Sequence, residues 1–208
     1  MKRIIVFFNC LFLVCLSIVA QPDDLTEIVR KGNESVKSFN SKFTELQYRR
    51  SSRQSQDMEG KLYFDAIGRL SMLYTDPEGD YIIIDGTTYV TKQSGHKKHY
   101  STDKKGLMAD WSSSMIHSMK GEVEEVAQAN NAEIRSKVDN SYYYFTLLRQ
   151  DTGKKKKSDV VRIVLRYNKK TCLLVYMSIE DRAGNTTTYA LQHPQLNATI
   201  PDNVFIPK

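Results

Sequence analysis

Residues 60–86 read Gly60-Lys61-Leu62-Tyr63-Phe64-Asp65-Ala66-Ile67-Gly68-Arg69-Leu70-Ser71-Met72-Leu73-Tyr74-Thr75-Asp76-Pro77-Glu78-Gly79-Asp80-Tyr81-Ile82-Ile83-Ile84-Asp85-Gly86. Three apolar runs, 61–65, 70–74 and 81–84, are separated by residues that favour turns. Leu62, Phe64, Leu70, Met72 and Tyr74 share one parity, and Lys61, Asp65, Arg69 and Ser71 take the other. A period of two is that of a strand with one buried and one wetted face. Asp76-Pro77-Glu78-Gly79 punctuates the second junction. Asp85-Gly86 is a two-residue hairpin signal leading into the β-branched and aromatic run Thr87–Thr91. Consecutive antiparallel strands with short turns follow.

Upstream, Phe39–Thr44 has the same period and runs through a polar, arginine- and serine-rich stretch, Arg49–Asp57, into Gly60. Before it, Leu25, Ile28, Val29, Gly32 and Val36 fall on one helical face, with Asp23 and Asp24 suited to the positive end of the helix dipole, so 23–36 reads as a helix. Downstream, Gly95-His96-Lys97-Lys98-His99 reads as an exposed, lysine-rich turn. A second helix is expected over 103–120, started by Thr102 or Asp103 and stopped at Lys120-Gly121. Its stripe of Leu107, Trp111, Met115 and Met119 holds the one tryptophan of the chain. Residues 122–140 select neither helix nor strand. Val161, Ile163, Leu165 and Tyr167 then alternate with Arg162 and Arg166. After Asn168-Lys169-Lys170, alternation resumes over 173–180, and Ala183-Gly184-Asn185 turns the chain into 186–191. The class is mainly β (α+β), antiparallel, with one helix at the front and one inserted midway.

With 208 residues, 40% hydrophobic content and 12 tyrosines, the chain carries enough apolar surface for one domain and too much for disorder. Met1–Ala20 has Lys2 and Arg3 ahead of a nearly unbroken apolar run, the pattern of a secretory signal peptide, leaving 21–208 as a single domain. Of three cysteines only Cys172 lies beyond that leader, so no intrachain disulfide is expected. Neither Cys10 nor Cys15 has the flanks of a lipidation site. No nucleophile elbow, phosphate loop or metal-ligand spacing stands out, so no catalytic residue, metal or cofactor is assigned. The run Lys154–Lys157 reads as a solvated loop, and nucleic-acid binding conflicts with export.

The order Gly60-Lys61-Leu62-Tyr63-Phe64, Leu70–Tyr74, Asp76-Pro77-Glu78, Tyr81–Ile84, Asp85-Gly86, then Asp181, Gly184-Asn185, 186–188, Ile200-Pro201 and Phe205, resembles the outer-membrane lipoprotein carrier (LolA) family over nearly the whole of 21–208. The resemblance implies a half-open, curved antiparallel β-barrel with helices covering its mouth. It also implies a non-enzymatic periplasmic carrier of acylated lipoproteins, loaded by an inner-membrane ABC transporter and unloading to an outer-membrane acceptor, and working as a monomer. Placed on the strand parity, the cavity falls to Leu62, Phe64, Leu70, Met72, Tyr74, Ile82 and Ile84, and the lid to Leu107, Trp111, Met115 and Met119. Family members carry an Arg-Pro after the first strand whose arginine latches the lid. Ala66-Ile67 stands there in this chain, so Arg69 is the candidate latch. The rival functions are a lipid- or lipoprotein-sensing module of the same fold and an exported hydrolase on a β scaffold.

Overall fold

The computed structural model describes residues 22–86, 88–101, 107–150 and 159–207. The expected leader 1–20, the lysine run 154–157, the expected start of the second helix at 102–106 and the side chain of Leu107 lie outside that description.

Helix α1 (Pro22–Asn33) is followed by six strands, β1 (Ser38–Arg49), β2 (Gln54–Asp65), β3 (Leu70–Asp76), β4 (Glu78–Asp85), β5 (Thr88–Gln93) and β6 (His96–Ser101). Helices α2 (Leu107–Met119) and α3 (Val123–Ala129) interrupt, and β7 (Ala132–Val138), β8 (Tyr142–Arg149), β9 (Val160–Asn168), β10 (Leu174–Asp181) and β11 (Thr186–Leu196) complete one sheet. Its 11 strands are antiparallel in the order β6-β5-β4-β3-β2-β1-β11-β10-β9-β8-β7, so it curves without closing and leaves β6 and β7 as its edges.

The register builds the inner face in rows. Phe39 lies opposite Phe64, Phe64 opposite Leu70, Leu70 opposite Ile84 and Ile84 opposite Tyr89. Beside it run Ser41, Leu62, Met72, Ile82 and Thr91. Across the β1–β11 seam the row is Glu45, Tyr189, Met177, Leu165 and Phe145. The apolar members are buried with Leu25 and Val29 of α1, Met115 and Met119 of α2 and Val126 of α3 in one core. Each such side chain withdrawn from water contributes about 1.5–3 kcal/mol. Gly32 sits where a Cβ would overlap the Cβ and Sγ of Cys172, so only glycine lets α1 approach the β9–β10 turn.

Several expectations are corrected. The turn at 96–99 belongs to the edge strand β6: His96 to His99 are polar and exposed on both faces, while Tyr100 of the same strand packs against the core. Residues 122–140 divide into α3 and β7, and Tyr142–Arg149, unassigned above, is β8. The outer face of β3–β5 is not wet. Tyr81, Ile83 and Val90 form a second buried cluster with Leu73 against it, beside which a 3-10 turn, Asp202–Phe205, packs on β3 and β4. Ser71 Oγ donates to the Val204 carbonyl at 2.7 Å, which anchors the turn.

Candidate ligand-binding cavity

A cavity of about 910 Å³ opens on the inner face. Its walls are β1 and β11 through Glu45, Gln47, Thr187 and Tyr189, β4 to β6 through Ile82, Tyr89, Thr91, His96, Lys98 and Tyr100, and α2 through Trp111. Strand parity explains the convergence. Glu45 continues the inward parity of Phe39 and Phe43, and Tyr89 and Thr91 stand opposite Tyr100 and Lys98.

Trp111 meets two of these walls. Its ring centroid lies 5.6 Å from Tyr89 at 72° and 6.3 Å from Tyr189 at 61°, edge-to-face arrangements favoured by ring quadrupoles. Tyr100 packs on Tyr89 at 5.4 Å. At the base, Glu45 is 1% exposed. Its Oε1 accepts from Gln47 Nε2 at 2.8 Å and Tyr189 Oη at 3.4 Å, and its Oε2 accepts from Tyr74 Oη. Burial pushes the carboxyl above its ordinary value, the three donors opposing in part. Burial also raises the phenols of Tyr74, Tyr89 and Tyr189, keeping them protonated donors.

Of the expected cavity residues, Ile82 lines this space and Tyr74 reaches it through Glu45. Leu62, Leu70, Met72 and Ile84 are sealed in the core against one another, at most 2% exposed. Phe64 also borders a separate recess of about 190 Å³ with Val36 and Met119. Of the expected lid, Trp111 caps the cavity while Met115 and Met119 are buried beneath α2. Among the hydrogen bonds that hold that helix down, Tyr167 Oη donates to the Ser118 carbonyl at 2.9 Å, and Asn130 Nδ2 to Ser114 Oγ at 2.8 Å.

Arg69 is not placed on the lid. Its Nε donates to Asp65 at 2.7 Å, its NH1 lies 3.4 Å from Asp202, and its guanidinium stacks 4.4 Å from the centre of the Phe205 ring. Among the described residues its partners belong to the β2–β3 hairpin and the C-terminal turn. Glu45, Tyr89, Tyr100 and Tyr189 were not singled out by sequence. For Glu45 the available signal was parity from Phe39 and Phe43; for the tyrosines there was none, since β5, β6 and β11 could not be registered against one another. Among the described residues no three His, Cys, Asp or Glu side chains group as metal ligands, and no helix is long and apolar enough to cross a membrane.

An unclosed antiparallel sheet wrapped around a cavity, with Trp111 of α2 at its wall, defines a half-barrel fold. The chain belongs to the family of the outer membrane lipoprotein carrier protein LolA, whose family model matches residues 34–208. Solved structures are similar to it. An uncharacterized conserved protein from Thermus thermophilus is similar at TM-score 0.50 and 7% identity, over 88% of this chain and 91% of that one. A LolA superfamily protein from Nitrosomonas europaea is similar at 0.42 and 10%, over 89% and 97%. The MucA/MucB complex of Pseudomonas aeruginosa gives 0.47 and 9%, over 89% of this chain and 60% of that one. No curated protein sequence matches.

Proposed function

We propose that the protein is a periplasmic, non-enzymatic carrier that takes acylated lipoproteins from the inner membrane and delivers them to the outer membrane. The observation that carries this reading is the cavity of about 910 Å³ capped by Trp111. Exposing an acyl chain of about 15 CH₂ groups to water costs roughly 12 kcal/mol, at about 0.8 kcal/mol each, so a shuttle has to enclose it. The apolar rows Leu62, Leu70, Met72 and Ile84 share one core with Met115 and Met119 of α2, and would line a deeper channel once that helix lifts. Unbranched methionine adapts to chains of different length. With Arg69 engaged elsewhere, closure rests on Trp111, Met115, Met119 and the hydrogen bonds that α2 makes to Tyr167 and Asn130. Loading by an inner-membrane ABC transporter and transfer to an outer-membrane acceptor complete the cycle, with the carrier a monomer.

The test is a release assay. Purified protein is incubated with energised spheroplasts of its host, and the soluble fraction is examined for triacylated lipoproteins in a one-to-one complex. Release supports carriage. A folded protein that takes up a fluorescent fatty acid yet releases no lipoprotein is a sensor of the same fold instead.

A further inference from the structure

The cavity is electrically graded, and an acyl chain uses none of that grading. At its base a buried carboxyl, Glu45, stands among aromatic rings. Tyr89, Trp111 and Tyr189 meet at interplanar angles of 72° and 61°, which sets them as walls rather than a stack. Steeply set rings beside a carboxyl form the environment in which a protonated or quaternary amine is held, since ring faces and carboxylate both present negative potential in a place sheltered from water. At the rim the sign reverses. Lys98 lies opposite Thr91 and His96 opposite Gln93, on the inner-face side of β6, both exposed and both bordering the cavity. A bare cation would meet Lys98 on entry, and a bare anion would meet Glu45 at the base. A ligand with its ammonium inward and its anion outward matches both.

We propose that the cavity seats the head of a zwitterionic amphiphile, with its ammonium over the ring surfaces of Tyr89, Trp111 and Tyr189 that line the cavity, beside the Glu45 carboxyl, and its anion outward against Lys98 and His96. This rests on the reading of the cavity as the place where amphiphiles bind, and adds the chemistry of the head to that of the chain.

The single tryptophan, Trp111, makes the site its own reporter. Purified protein is titrated below micellar concentrations with three dodecyl amphiphiles: a sulfobetaine, whose ammonium adjoins the chain and whose sulfonate is outermost, dodecyltrimethylammonium, and the uncharged dodecyl maltoside. The expected order is sulfobetaine tightest, the bare cation next and the maltoside weakest, with about tenfold between the first and last. Glu45→Gln, which keeps the size, removes the charge and exchanges one acceptor oxygen for an amide donor, should remove most of that preference while the uncharged maltoside still binds. Lys98→Gln, at an exposed rim position that does not bear on folding, should bring the sulfobetaine down to the bare cation. Equal affinity for all three heads in the unaltered protein overturns the graded site and leaves chain binding intact. Failure of all three to bind overturns the cavity reading itself.

Discussion

Phe205→Ala should cost the protein about 4–5 kcal/mol, the upper part of the roughly 3–5 kcal/mol range for truncating a buried aromatic ring. Phe205 is 4% exposed in the C-terminal turn, under the Arg69 guanidinium 4.4 Å from its ring centre. The loss is put at this part of the range because two further effects follow the ring. The Arg69 stack contributes about 0.5–1 kcal/mol of its own at a partly exposed site, and a loosened turn uncovers Ile83, which is 2% exposed. Urea unfolding followed by circular dichroism measures the total. A double-mutant cycle with Arg69→Met, which keeps the aliphatic stem, isolates the stack and should return a coupling of about 0.5–1 kcal/mol. Amide exchange at Ser71 and Ile83 should quicken in the Phe205 variant while α2 keeps its protection. A loss below about 1 kcal/mol with zero coupling would refute the account of Arg69 as the clamp of the C-terminal turn. Loss of protection in α2 upon Arg69→Met would return the arginine to the lid.

Three other outcomes are expected. Because burial raises the folded-state pKa of Glu45 above its unfolded value, its contribution to stability is complete below about pH 4.3 and declines as pH rises through the folded pKa. The slope reaches at most about 1.4 kcal/mol per pH unit. Stability-versus-pH curves of Glu45→Gln and the unaltered protein should therefore diverge upward from about pH 4.3 in favour of the variant, and parallel curves contradict this. Gly60→Ala drives a Cβ into the Leu73 carbonyl oxygen and to 2.8 Å from the Phe43 ring; strand backbone yields little, so a loss of about 2–3 kcal/mol in thermal or urea unfolding is expected. Trp111→Glu should abolish retention of a bound lipoprotein or fluorescent fatty acid while the circular dichroism spectrum of the sheet is unchanged; full retention would remove α2 from the closure.

Legibility followed packing. Where one face is packed and the other wet, as in β2 and β9, parity is visible and the strand is read correctly from side chains alone. Leu62 and Phe64 are inward for that reason. Edge strand β6 defeats the method because its two faces are both polar, and β8 defeats it from the other direction. Tyr143 and Phe145 are buried while Tyr142 and Tyr144 stack outside with each other and with Arg166 and Lys137, so aromatic residues occupy both faces and no binary pattern forms. The C-terminal turn has no periodicity, and its docking on β3 and β4 arises only in three dimensions, which is why Ile83 and Ser71 are buried against expectation. Glu45 is the clearest case. An acidic residue on a strand reads as solvent-facing, and only the register of β1 against β2 and β11 brings Tyr74 and Tyr189 to satisfy it.

The strand order carries a consequence for how the chain comes to be folded. The seam at the middle of the sheet joins β1, one of the first elements made, to β11, the last strand; Glu45 and its partner Tyr189 are 144 positions apart. Pairings of such separation form slowly, because the loop between them has to be closed before they gain anything. Until β11 is available, β1 has one unpaired side, the row through Glu45 lacks a neighbour, and neither half of the sheet has its central support. A nascent chain in that state is held open by its own topology, and it completes its core only once its last strand has joined the sheet.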